Sequence, residues 1–322
     1  MSKLNFNEIQ QDIEILDQII KDDLSSNVVI INTIAEHIAF NRGKRIRPII
    51  TILCGKLLGH QEGKLLHKMA AMIEYIHTAT LLHDDVVDES DLRRGKKTAN
   101  SIFGNAASIL VGDFIYTRSF QMMVESNSMP LMKLMAETTN KISEGEVLQL
   151  LNIGRIDLTE EQYFDIIESK TAVLFEASAR IAAILLNSDQ HIEKLLGQYA
   201  KNLGIAFQII DDILDYIGDS SIMGKDPGDD LQEGKITLPI IYLLQNGTEE
   251  VKDIIRDSIL NHDIQKLPEL VSLVKSSQGI NYCLNLANEY INKAIKSLEP
   301  FQDSSYKKIM IDIALQSINR IS

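Results

Sequence analysis

At 322 residues the chain is long enough for one or two domains with a large buried core. Apolar residues make up 45% and charged residues 24%, and 32 basic against 45 acidic side chains leave a net charge of −13; that balance argues against broad nucleic-acid binding and against a generally basic membrane-facing surface. Two cysteines, Cys54 and Cys283, are too few for a disulfide scaffold or a closed Cys-rich zinc centre, and both read as buried thiols in a reducing cytosol.

The N-terminal stretch goes directly into an acidic amphipathic pattern, without the basic start and apolar core of a signal peptide. From there apolar residues recur at three- and four-residue spacing almost throughout, and convincing alternation is absent, so the pattern predicts amphipathic helices and no strand. Helices are expected at roughly 8–23, 27–40, 47–58, 63–88, 98–124, 130–151, 160–186, 190–217, 237–245, 249–261, 265–275, 279–298 and 304–319. No apolar run reaches the length of a membrane span. The protein is therefore expected to be cytoplasmic and all-α: one domain over 1–322, a bundle of long helices around a deep central cavity. One connection stands out. Residues 219–235 carry three glycines, a proline, acidic Asp226, Asp229 and Asp230, and the lysines Lys225 and Lys235; a long segment of this kind between strong helices reads as an ordered flap.

Two acidic strings close strongly apolar helices, Asp84-Asp85-Val86-Val87-Asp88 and Asp211-Asp212-Ile213-Leu214-Asp215. At 3.6 residues per turn the first and last aspartates of each string lie within about 40° of each other, where like charges repel unless a cation intervenes. Carboxylate oxygens suit Mg²⁺, which keeps several waters and bridges carboxylates to phosphates. One such string could be no more than a solvated acidic helix end; two copies, each behind an apolar run, point to a metal site. His77 and Thr80 extend the face of Asp84 backward by about 20° and 40°, and Gln208 shares the face of the second string.

Cations gather in two places despite the acidic total: Arg42, Lys44, Arg45 and Arg47 in a turn marked by Gly43 and Pro48, and Arg93, Arg94, Lys96 and Lys97 just after the first acidic string. Arginine forks and lysine ammoniums are the usual partners of phosphate oxygens. Carboxylates for a metal, cations for a diphosphate and long apolar helices behind them describe a site for an amphiphilic diphosphate whose tail runs inward.

The motifs GKRIRP (43–48), HTATLLHDDVVDESDLRRG (77–95), EGEVLQL (144–150), KTA (170–172), FQIIDDILD (207–215) and GKDPGDDLQEGK (224–235), in this order over nearly the whole chain, resemble those of the trans-isoprenyl diphosphate synthases, or polyprenyl synthetases. The text around 77–117 is most similar to the bacterial long-chain members with an octaprenyl product. The resemblance implies that Lys44, Arg47, His77 and Arg94 bind isopentenyl diphosphate. It places Mg²⁺ on Asp84, Asp88 and Asp211, with Asp85, Asp212 and Asp215 in support. It gives the allylic diphosphate, with farnesyl diphosphate as primer, to Arg93, Lys170, Thr171 and Gln208, with Lys225 and Lys235 closing over it from the flap. It further implies a homodimer, a product used for quinone side chains, and transient membrane contact when that product leaves.

Product length is then a question of where the tunnel is blocked. Ala79 and Thr80, just before the first acidic string, are small, and the resemblance implies that small residues there go with a long product; on the helical wheel Thr80 faces the cavity better than Ala79. Met123 and Met135, with Met122 and Met132, are the candidates for its floor. Two other enzyme readings fit less well. An all-helical metal phosphohydrolase built on His83-Asp84 leaves the second acidic string unexplained, and a terpene cyclase has no use for the second cationic pocket. A non-catalytic partner subunit would be expected to have lost motifs that are intact here.

Overall fold

The computed structural model describes residues 4–40, 43–61, 63–93, 95–218, 227–260 and 266–321. In chain order the α-helices are α1 (Gln10–Asp23), α2 (Val29–Phe40), α3 (Ile46–Leu57) and α4 (Leu65–Val87), then α5 (Ala99–Phe103), α6 (Asn105–Glu125), α7 (Met129–Leu151) and α8 (Glu160–Ile167). They continue with α9 (Val173–Leu185), α10 (Gln190–Ile217), α11 (Asp229–Gln232) and α12 (Leu238–Asn246), and end with α13 (Glu249–Leu260), α14 (Leu267–Ser276), α15 (Gly279–Ser297) and α16 (Ser305–Ile318). The all-α expectation holds, and among the described residues no helix is long and apolar enough to cross a membrane.

Local chemistry sets many of the boundaries. Ser128 starts α7 by accepting a hydrogen bond from the Leu131 amide, Thr159 and Gln162 form a reciprocal capping box on α8, and Asp189 caps α10 through the Ile192 amide. Pro130, Pro239 and Pro268 sit in first turns, where a missing N–H breaks no helical bond.

Three departures from the periodicity reading have physical causes. The helix expected over 98–124 breaks at Gly104, whose φ of 84° and ψ of 157° lie where side-chain-bearing residues rarely go. The helix expected over 160–186 is interrupted by a π turn, Glu168–Ala172, which re-aims Lys170 and Thr171. A small antiparallel hairpin, β1 (Leu92–Arg93) with β2 (Lys96–Lys97), follows the first acidic string where no strand was expected; it turns at Gly95, with φ of 72°.

Helix α10, 28 residues and about 42 Å long at 1.5 Å per residue, runs through the centre and packs against α9 and α15. Helix α4 packs against α3 and α6. Two glycines permit close approaches that matter for the site. A Cβ on Gly145 of α7 would stand 2.8 Å from the Lys170 amide nitrogen, and one on Gly204 of α10 would stand 2.9 Å from the Ala172 Cα. The segment carrying Lys170 and Thr171 is thus pressed between α7 and α10. Cys54 and Cys283 are buried free thiols, and burial pushes the pKa of both up.

Candidate active site

The C-terminal end of α4 and that of α10 bring the two acidic strings to opposite walls of one cleft. Three connected spaces form it. The central one, about 490 Å³, is lined by Asp84 on one side and by Asp211 and Asp215 on the other. A second, about 240 Å³, extends past Asp88, Lys170, Thr171 and Asp212 to Lys235. The third, about 400 Å³, runs from Lys44, Arg47 and His77 to an apolar end made by Ile20, Leu24, Ala35, Ile38 and Ile115. Leu81 and Phe207 face both the central and the third space, so the acidic and basic regions are continuous.

At the first string, each cleft-facing carboxylate meets a lysine from another element. Asp88 Oδ2 accepts from Lys235 Nζ at 2.9 Å, and Asp84 Oδ2 lies 3.7 Å from Lys170 Nζ. Lys170 also donates to Glu146 and Gln149, both at 2.7 Å. Burial raises the pKa of Asp84 and of Glu146, with Lys170 opposing in each case. Burial also works against the charge on Lys235, but Asp88, Glu233 and Asp230 outweigh it and hold the ammonium charged.

Asp85 departs from its expected supporting role at a metal. Turned about 100° from Asp84 by the helix, it is buried away from the cleft, and Nε and Nη2 of Arg93 both donate to its Oδ1 at 2.7 Å. It anchors the hairpin and thereby presents Arg93, which lines the central and second spaces.

The second string is more tightly bonded. Asp211 Oδ1 accepts from Arg320 at 2.5 Å. Asp212 accepts from Tyr163 Oη at 2.6 Å and from Gln208 Nε2 at 2.8 Å, while Thr171 Oγ1 donates to Gln208 Oε1 at 2.9 Å. Asp215 Oδ2 is buried without a hydrogen-bond partner. Burial first, and then the charge of Asp230, push Asp212 and Asp215 as a group up to about 8.

In the basic turn, Arg47 donates toward His77 Nε2 at 3.3 Å and its guanidinium lies 4.3 Å from the centre of the Phe175 ring. Arg45, in the left-handed region with φ of 49°, pairs with Asp17 of α1. It pins the turn to α1 and, with Lys44 and Arg47, lines the third space. Arg42, Arg94, Lys225 and Asp226 lie outside the described residues.

Thr80 lines the central space, but Ala79, Met122, Met123 and Met135 do not reach the cleft: all four lie in the packed core, and Met132 packs against that core. The sequence reading missed Glu146, Gln149, Tyr163, Asp230 and Arg320. Glu146 and Gln149 had a signal, since both fall within EGEVLQL, and Asp230 belongs to the acidic flap; Tyr163 and Arg320 had none, because only the tertiary fold brings them to the aspartates.

The Polyprenyl synthetase family profile matches residues 28–274. The chain is 46% identical over 311 residues to octaprenyl diphosphate synthase of Escherichia coli K12, covering 96% of each chain. It is 42% identical over 313 residues to the geranyl-diphosphate-specific all-trans-nonaprenyl-diphosphate synthase of Rhodobacter capsulatus, covering 97% of this chain and 96% of that one. Among solved structures, a polyprenyl synthase from Caulobacter crescentus complexed with calcium and isoprenyl diphosphate superposes with a TM-score of 0.94 at 37% identity, over 98% of this chain and 97% of that one. The chain belongs to the polyprenyl synthetase family.

Proposed function

We propose that this protein is a trans-polyprenyl diphosphate synthase, adding isopentenyl diphosphate head to tail to an allylic diphosphate to give a long all-trans product of eight isoprene units. The observation that carries the reading is the arrangement of two opposed aspartate strings, lysines from other elements set against the first, and an adjoining basic pocket that ends in apolar side chains.

The oxygen-donor chemistry of the aspartates suits a divalent metal, with Mg²⁺ the species proposed. Asp84, Asp88 and Asp211 would hold it, and the buried unpartnered Oδ2 of Asp215 is a further hard oxygen donor in the same cleft. When bound, the metal supplies charge neutralisation for a leaving diphosphate. Lys170, Lys235 and Arg93, with Lys225, take up the oxygens of the allylic diphosphate, which stabilises the charge that develops as the allylic C–O bond breaks. Thr171 and Gln208 orient that substrate. Lys44, Arg47, His77 and Arg94 hold the second diphosphate. The double bond of isopentenyl diphosphate attacks the allylic cation, a carbon–carbon bond forms, and a proton passes to the released diphosphate. Apolar walls keep water from the cation.

For the tail, Thr80 opens the cleft wall. A chain longer than the cleft must part the packing of α4 on α6, where Ala79 is small and the unbranched Met122 and Met123 can re-pack; Met123 and Met135 are proposed as the stop. Apolar side chains on the outer faces of α6 and α7, such as Leu110, Val124 and Leu151, support a homodimer. The chain as one catalytic domain, a cytoplasmic location and a quinone side chain as the product's use belong to the same reading.

The test is a product assay with purified protein, Mg²⁺, farnesyl diphosphate and labelled isopentenyl diphosphate, chain length being read by mass spectrometry. A dominant eight-unit product supports the whole reading. Another single length retains the reaction and overturns the assignment of the stop. Absence of elongation by folded protein overturns the enzyme reading in favour of a non-catalytic subunit.

A further inference from the structure

His83 stands directly before Asp84, yet it lines none of the three spaces of the cleft. About 100° of helical rotation turns it toward α6 instead. Its ring rests on Gly112, where a Cβ would stand 2.5 Å from His83 Nε2 and 2.8 Å from Cδ2. The same Nε2 lies 3.3 Å from the Ile109 carbonyl oxygen and 3.3 Å from Asp113 Oδ1. A carbonyl and a carboxylate only accept, so Nε2 carries the hydrogen. Further bonds join the same corner to the end of α4. Ser108 Oγ, fully buried, donates to the Leu82 carbonyl at 3.2 Å. Asn100 Nδ2 of α5 donates to the carbonyls of Asp85 at 3.0 Å and Ser90 at 3.1 Å. Asn100 lies before the break at Gly104 and Ser108 after it, so both sides of the break grip the end of α4.

The last turn of α4 needs such fastening. Its final carbonyls lack helical partners, the helix dipole disfavours negative charge there, and Asp84 and Asp88 repel each other across one turn. Resting on the synthase reading above, we infer that His83 is a positioning residue for the first acidic string: seated on Gly112 and bonded to α6, it fixes the rotation and height of the turn that presents Asp84 and Asp88 to the metal and the allylic diphosphate. The missing side chain at Gly112 is what admits the ring. His83 thus acts on the ligands without touching metal or substrate, and partners that orient a ligand commonly govern affinity or activity by about ten- to a hundredfold. The pair His83-Asp84, which on its own resembles half of a hydrolase metal centre, is divided between two jobs, fastening and ligation.

The test uses the full chain with His83→Ala, His83→Gln and Gly112→Ala. Mn²⁺ binding to the free protein is followed by electron paramagnetic resonance, kcat and KM by elongation of farnesyl diphosphate, and folding by melting temperature. His83→Ala should weaken Mn²⁺ binding about tenfold and lower kcat about tenfold. KM for isopentenyl diphosphate should stay within about twofold of wild type, because the basic pocket is built on the turn before α3 and on an earlier turn of α4. His83→Gln, whose amide can still donate to the Ile109 carbonyl, should recover the larger part of both losses. Gly112→Ala keeps the imidazole but displaces it, and should reproduce the losses of His83→Ala although alanine is the better helix former. Unchanged Mn²⁺ binding in His83→Ala overturns the positioning role, whatever its melting temperature, and so does a neutral Gly112→Ala. Complete loss of Mn²⁺ binding in His83→Gln overturns it too, by marking His83 as a ligand. The Mn²⁺ titration needs no turnover, so it judges the positioning role even if wild-type protein fails to elongate a primer, an outcome that strikes only the synthase reading.

Discussion

The two acidic strings share a pattern, DDxxD, at the ends of two apolar helices, but the fold treats them differently. At the first, Asp84 and Asp88 face lysines on long flexible stems, Lys170 from the π turn and Lys235 from the end of the flap. At the second, Asp212 is fastened by Tyr163 and Gln208, Asp211 is held by Arg320, and Asp230 adds negative charge across from Asp212 and Asp215. The first string is balanced by cations that can transfer to phosphate oxygens. The second is a rigid acidic wall with a surplus of charge that calls for a cation. Strings of one pattern thus divide the work because their neighbours differ, which no count of aspartates reveals.

The largest effect should come from removing a cleft carboxylate at the first string. Asp84→Ala is expected to lower kcat by about three to five orders of magnitude, since it removes stabilisation that matters most as the leaving group departs, with a melting temperature close to wild type. Near-normal turnover at saturating Mg²⁺ would refute the metal role.

Tyr163→Phe tests the rigidity of the second string. The single lost hydroxyl leaves a buried carboxylate oxygen short of a donor, at a cost of about 1–3 kcal/mol in stability, measurable by denaturant titration, and about a tenfold fall in kcat is expected from the loosened wall. A stability loss with unchanged kcat would make Tyr163 purely structural. Asp85→Asn should act through Arg93 instead, raising KM for the allylic substrate by about tenfold while kcat holds; if kcat falls and KM does not, Asp85 belongs with the metal ligands after all.

The surplus charge on the second string has a pH signature. Asp212 and Asp215 sit at about 8 in the folded protein against the ordinary 3.8. The folded state therefore binds more protons than the unfolded one throughout that window, and this contribution to stability declines as pH rises through it. Melting temperature of the metal-free protein should fall between pH 6 and pH 8, Asp230→Asn should flatten the fall, and Mg²⁺ with inorganic pyrophosphate should stabilise more at pH 8 than at pH 6. A metal-free melting temperature that climbs over this range contradicts the charge surplus. The smallest change is expected away from both strings: Met123→Ala should lengthen the product by about one or two isoprene units by vacating core volume, and an unchanged product removes Met123 as the stop.

Much of this site was legible in the sequence because its chemistry lies in short strings. Helical periodicity put Asp84, Asp88, His77 and Thr80 on one face, and the structure places all four on the cleft. The same geometry, at 100° per residue, turns Asp85 away, a consequence the motif obscured. The break at Gly104 and the π turn at Glu168–Ala172 were not legible, since periodicity reports which residues are apolar and says little about one glycine's backbone or one extra residue in a turn. The methionines were less informative. Helical spacing marks them as inward-facing, but inward includes both cavity and core, and the fold put Met122, Met123 and Met135 in the core.

Amino-acid order alone determined the all-α class, the two acidic helix ends, the basic turn and the family, because each depends on residues near one another in the chain. Tertiary structure decided which cation answers which carboxylate. Lys235 meets Asp88, Tyr163 meets Asp212 and Arg320 meets Asp211 only after α4, α8, α10 and the turn after α16 have packed. The reason is range: a helix sets the direction of a side chain within a few residues, whereas the pairing of two charges across a cleft is set by how whole helices bury their apolar faces against one another.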